Sequence, residues 1–376
     1  MKKLYRLDAW HKLLALRFKS LKWRHGVLIA LLILVTLTKM IPLWGFIYTT
    51  RIYPVIGTLL SPISGIFPFA VGDIFIALSI AWVILYPIYE MGWRKKMVLG
   101  RVAEYLLWVY AWFYIAWGLN YSQPNIFYRI GMKPVEVSKA KFKKFAYQYA
   151  DSINALSNAS LSNARKSISP DSIVDDALKN RVRDAVLKEY NKIGYREGIN
   201  RPFNQHPHAK TMVFTPLSSM AGVTGSMGPF FCEFTLNGDI LAHNYPATYA
   251  HEFAHFLGVA NEGEANFYSY IVCTASADKQ VRFSGYYHIF FHVLNNVYDI
   301  LGEKEGERFL KHIRPEIIQR ARNDRHYWLS KRCKALDAAQ DFIFELYLRG
   351  NHVAEGRKSY SGVIGLILAW EEKTKK

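Results

Sequence analysis

The sequence predicts a mainly helical membrane protein: three N-terminal transmembrane helices, then a mostly helical domain with a small β-hairpin or sheet. Three observations predict it. Long apolar segments follow one another at roughly residues 26–47, 69–89 and 102–121, each near the roughly 20 residues that cross a bilayer core. Beyond Tyr121 the chain turns polar, and apolar residues recur there at three and four spacing, the period of surface helices. The whole chain of 376 residues is 51% hydrophobic and 15% aromatic, high for a soluble protein, and the excess lies at the front.

Residues 1–25 form a basic tail with Lys2, Lys3, Arg6, Lys12, Arg17, Lys19, Lys22 and Arg24. Leu4, Leu7, Leu14, Phe18 and Leu21 recur at helical spacing, so the tail reads either as an amphipathic helix on anionic lipid or as a charged flank that sets orientation. Basic residues beside an apolar span are explained by lipid, so no nucleic-acid partner is expected. In the first span Lys39 and Pro42 weaken the outer half, while Trp44 and Tyr48 suit an interfacial belt. No small-residue cleavage site follows a short apolar core, which makes this an uncleaved anchor. Asp73 and Glu104 stand at span ends. Arg94, Lys95, Lys96 and Arg101 follow the second span, whereas the loop after the first offers little beyond Arg51. Positive charge stays in the cytoplasm, so the tail is expected inside and residues 122–376 outside the cytoplasmic membrane. The net charge of +18 is partly this topology signal and says correspondingly less about substrate.

Past the linker marked by Pro124 and Pro134, residues 135–159 and 171–193 read as surface helices joined by a polar loop. The KAKFKK run is a solvated face. His206 and His208 flank Pro207 without a carboxylate pattern, which argues against a metal site there. TMVFTPLSS reads as a strand, and GVTGSMG lacks the Lys and spacing of a phosphate loop. FFCEFTL and DILAHNY flank Asn237-Gly238, the dipeptide of a tight hairpin, and Glu233 in it is a candidate partner for a metal-bound His.

The chemistry concentrates in TYAHEFAHFLGVANEGEANF, Thr248 to Phe267. His251 and His255 lie four apart, on one face of a helix, where both imidazoles reach one ion, and Glu252 sits a step around. Neutral imidazole binds Zn²⁺, three protein ligands leave an open position, and a nearby carboxylate can take a proton from water as it attacks a carbonyl. Glu252 is the expected base. Gly258 stops the helix, and a second helix opens at Asn261. Glu262 is the preferred third ligand, at the head of an E-x-x-A-N run, with Glu264 the alternative and Asn266 a candidate second-shell partner. Both acids also suit a helix N-terminus without any metal. Residues 281–301 form an aromatic, amphipathic helix whose His288 and His292 are again four apart, but no Glu follows the first, and both read as packing residues. Residues 327–348 and 359–372 are the closing helices. Cys232, Cys273 and Cys333 are odd in number and form no C-x-x-C, so at most one bridge can form.

HEFAHFLG followed by EGEAN resembles the zincin metallopeptidases, and E-x-x-A-N resembles the third-ligand helix of the glutamate-zincin branch. The metzincin pattern would need a His at Asn261. At longer range, PFAVGD, WGLNY, the 225–237 stretch, FSGY and KSYSGVIGL resemble a bacterial membrane family of unknown function with three N-terminal spans and an HExxH domain. The resemblance implies a membrane-anchored zinc peptidase acting on a peptide or protein substrate, with an exposed strand beside the metal to hold it. Tyr286, His288 and Tyr360 are then the candidates for stabilising the oxyanion. Asn261, Glu262 and Glu264 make the stretch too polar for an intramembrane protease. The alternative is a non-catalytic membrane scaffold or binding module that keeps the fold.

Overall fold

The computed structural model describes residues 23–90, 95–134, 138–161, 174–336, 338 and 362–374. The basic tail before residue 23, Tyr360 and half of the expected helix 327–348 lie outside the described residues. The described chain is mostly helical around one three-stranded sheet.

Among the described residues two helices, not three, are long and apolar enough to cross a membrane: α1 (Trp23–Met40) and α4 (Val71–Glu90). The expected third span corresponds to α5 (Lys95–Ala116), which begins earlier than expected and takes Lys95, Lys96 and Arg101 into the helix ahead of Glu104. Its pairings lay it beside the other two. Arg24 meets Glu104 and Lys39 donates to Tyr114 Oη, so α1 and α5 run parallel. Ser79 meets Tyr105, and Arg101 donates to Tyr86 Oη, so α4 and α5 run antiparallel.

The first span stops at Met40, short of 47, because Ile41 precedes Pro42 and takes extended backbone (φ −114°, ψ 102°). The last residues of the expected span fold separately as α2 (Pro42–Ile47), and residues that read as a loop fold as a π-helical turn at Tyr48–Ile52 and α3 (Tyr53–Gly65). Tyr53 is fully buried there. Asn125 and Asp175 cap α6 (Ile126–Arg129) and α8 (Asp176–Tyr190) by accepting from backbone N–H groups, as short polar side chains do. Between them runs α7 (Lys139–Leu161), whose apolar stripe of Phe142, Ala146, Tyr149 and Ile153 is buried.

The sheet corrects the expected hairpin. β1 (Lys210–Thr211) pairs parallel with β3 (Glu233–Leu236), which pairs antiparallel with the edge strand β2 (Gly225–Gly228). The hairpin is therefore β2–β3, and DILAHNY is not a strand. Asn237 does not serve the tight turn because its side chain is buried: Oδ1 accepts from Asp239 N and Nδ2 donates to Val223 O. The expected strand at TMVFTPLSS ends at Thr211, and Pro216, which cannot donate to a ladder, opens the short helix α9 (Thr215–Met220).

The core is helical. α10 (Tyr245–Phe256) is buried along its whole length and packs on α11 (Glu262–Ala275). The expected helix 281–301 is two, α12 (Lys279–His288) and α13 (Phe290–Leu301), meeting at Ile289. α14 (Glu303–His312), α15 (Pro315–Lys331) and α16 (Val363–Thr374) complete the described part, with Trp370 of α16 edge-on to Phe267.

Candidate metal centre

Pro246 starts α10 with a preset φ, and the helix delivers His251, Glu252 and His255 in consecutive turns. After Gly258, which holds φ at +95° as few other residues can, Asn261 caps α11 by accepting from Glu264 N at 3.0 Å. That cap brings Glu262, the first residue of α11, over the histidines. The His251 and His255 Nε2 atoms are 3.1 Å apart, and Glu262 Oε2 lies 3.2 Å from one and 3.5 Å from the other. Three donor atoms of the right type for a divalent cation converge. His255 Nδ1 donates to Val259 O at 2.6 Å, which turns Nε2 towards the cluster. Burial alone would lower His255, but the Glu262 carboxylate raises it to about 9. Burial would raise Glu262, yet the imidazoles hold it well below the carboxylate range.

Glu252 is buried, and burial raises its carboxyl above the ordinary value against the pull of both imidazoles. It lies against Gly225 at the start of the edge strand. A Cβ on residue 225 would stand 2.4 Å from Glu252 Oε1, so glycine is what leaves the carboxylate room.

The last carbonyls of a helix have no intrahelical partner, and here side chains from elsewhere supply them. Trp117 Nε1 donates to His255 O at 3.0 Å and Tyr53 Oη to Phe256 O at 2.7 Å. Asn200 Nδ2 donates to Leu257 O at 2.8 Å and Gln123 Nε2 to Gly258 O at 2.6 Å. Three of these four come from residues 53–123, so the packing continues across residue 121 without a gap. α11 is anchored likewise: Glu264 pairs with Arg129 at 2.6 Å, both side chains buried, and its other oxygen accepts from Ile126 N.

Glu262 therefore joins the histidines, whereas the alternative ligand Glu264 is committed to Arg129. Glu233 does not meet a histidine: it accepts from Gly72 N at 2.6 Å and from Lys210 Nζ at 2.7 Å, because β3 carries it towards α4. Asn266 accepts from His288 Nε2 at 2.8 Å, and the His288 ring centroid is 5.9 Å from that of His251. Burial, then the neighbouring His251 and His292, lower His288 to about 3, so it is neutral. Tyr286 is packed between Tyr149 and Tyr270, in the layer formed by α7, α11 and α12. His206 and His208 line a cavity of about 470 Å³ behind α10, whose wall is Tyr245, Tyr249 and Phe256. The positioning residues Tyr53, Trp117, Asn200 and Gly225 carry no local signal in the sequence, since their roles are contacts with distant segments.

The family model described as "Protein of unknown function (DUF3810)" matches residues 48–368, and the chain belongs to that family. No curated protein and no solved structure matches the chain.

Proposed function

We propose that the protein is a membrane-anchored, zinc-dependent hydrolase that cleaves peptide or amide bonds. The observation that carries the reading is the His251–His255–Glu262 convergence with Glu252 beside it. Ligand distances of about 2.0–2.2 Å around a tetrahedral zinc imply ligand separations of about 3.3–3.5 Å. Those here are 3.1, 3.2 and 3.5 Å. His251, His255 and Glu262 would hold the ion, which supplies Lewis acidity and makes water acidic near neutral pH. Glu252, its carboxyl raised by burial, is suited to take the proton from the attacking water and return it to the leaving amine. β2 is an edge strand whose first residue, Gly225, lies against Glu252, and it can pair with an extended backbone. Of the described oxyanion candidates His288 has its ring beside His251, but its one N–H is given to Asn266 and would have to leave that bond to serve an oxyanion.

The anchor is read as three crossings. α5 pairs along α4 at two levels and along α1 at two more, so it crosses wherever α4 does, with Arg101 and Glu104 near the end that also holds Arg24. Basic residues at that end put it in the cytoplasm and the metal cluster on the opposite side.

The test uses the full chain in detergent, because Tyr53 and Trp117 hold α10. Zinc is measured by mass spectrometry in the wild type, His251→Ala and Glu252→Gln, alongside cleavage of a mixed peptide library. Near-stoichiometric zinc in the wild type and Glu252→Gln but not in a folded His251→Ala, with cleavage only by the wild type, is the expected result. A folded wild type that takes up no supplied zinc would sink the reading.

A further inference from the structure

Apolar residues scattered singly over a surface are ordinary, but a contiguous set beside a membrane helix is not. On α9 and the two residues before it, Val213, Phe214, Leu217 and Met220 are all exposed, Phe214 by 42% and Leu217 by 53%. Leu217 and Met220, three apart, share one face of α9, and Val213 and Phe214 extend the exposed apolar surface through the turn before it. This surface is tied to the start of α4: Asp73 Oδ2, in the first turn of α4, accepts from Val213 N at 2.8 Å. The link into α4 is also apolar and exposed, with Ile66 (76%), Phe67 and Phe69. Deeper still, Phe230 and Phe231 from the β2–β3 turn pack on Phe75 with ring centroids 4.9 and 5.6 Å away, and Trp112 Nε1 donates to Phe230 O. The tip of the hairpin is thus seated between α4 and α5, one turn inside α4.

We propose that the α9 surface and the 66–69 link form a collar that inserts into the lipid around the outer end of α4. It rests on the membrane-anchor reading above. The partner is the bilayer itself because the collar continues the exposed apolar surface of α4, where Leu78, Ile80, Ile84 and Ile88 face outward. Its side chains suit the interfacial zone, where aromatic and aliphatic groups bury in the headgroup and acyl boundary. The collar also fixes the height of the metal cluster. Gly225, against Glu252, is five residues from Phe230, a strand length of roughly 17 Å at about 3.3 Å per residue. Trp117, bonded to His255, directly follows the last residue of α5. The cluster therefore sits just above the lipid.

The experiment places an environment-sensitive NBD label at Leu217→Cys in the full chain, reconstituted in phosphatidylcholine–phosphatidylglycerol vesicles. Cys333 is replaced by Ser, and the other two cysteines are buried. Leu78→Cys on α4 and Lys311→Cys on α14 are the lipid and water references. A lipid carrying a shallow nitroxide is expected to quench the labels at 217 and 78, and aqueous iodide to quench 217 at least roughly threefold less than 311. A label at 217 that iodide quenches as well as 311, while 78 responds to the nitroxide lipid, overturns the collar and leaves the spans standing. Nitroxide lipid quenching neither 217 nor 78 overturns the anchor and the collar together.

Discussion

Glu262 and Glu264 stand in one turn of α11, and their carboxylates do opposite work. Glu262 faces the two imidazoles, with its side chain 14% exposed, and closes a site that can take a cation. Glu264 points the other way, into a dry contact with Arg129 that fastens the helix to the segment following α5. The histidine pairs draw the same contrast. His251 and His255 share one unbroken helix and converge, whereas His288 and His292, equally spaced, fall on two helices that meet at Ile289, and His288 turns to Asn266. Spacing creates an opportunity for a site, and the partner on the facing element decides whether one forms.

The comparison can be broken most severely at Glu264. Arg129→Met leaves that carboxylate buried without its cation and is expected to cost about 3–5 kcal/mol, read as a fall in the denaturation midpoint of the detergent-solubilised chain. A loss under about 1 kcal/mol would mean that Glu264 is not fastened there. Glu262→Ala should do the converse, abolishing stoichiometric zinc while the chain stays folded. If Glu262→Ala keeps its zinc, the assignment of the two acids is reversed. A third test acts on the space beside Glu252. In Gly225→Ala the new methyl displaces the carboxylate, so peptide turnover should fall by about 100-fold, the scale of a general base, with zinc content unchanged. Tyr53→Phe strips the Phe256 carbonyl of its donor and should cost about 1–3 kcal/mol, more than Trp117→Phe, since His255 O keeps the Gly258 N–H. The smallest effect is expected for His292→Ala, which should alter neither zinc content nor turnover.

Much of the site was legible because its rules are local. Four-residue spacing, a Gly stop and an Asn cap are properties of neighbouring residues, and HEFAHFLG to EGEAN shows all three. The β-structure was read less well. GVTGSMG was only set apart from a phosphate loop, since glycines carry no strand pattern, yet its residues 225–228 form β2, whose backbone at Gly225 comes close to Glu252. Asn237-Gly238 looked like a hairpin turn, but the buried amide of Asn237 was claimed by Val223 and Ser219. Residues 48–65 looked like a loop between spans, yet Tyr53 fills the floor beneath α10.

By itself, then, the sequence determined the helical class, the apolar N-terminal segments and the residues that can meet a metal, since hydropathy and helical periodicity act over a few residues. Only the tertiary structure decided which glutamate faces the histidines, which strand lies beside Glu252 and which side chains close the end of α10. Those choices depend on buried polar groups finding partners tens to hundreds of residues away, and such pairings leave no trace in local spacing.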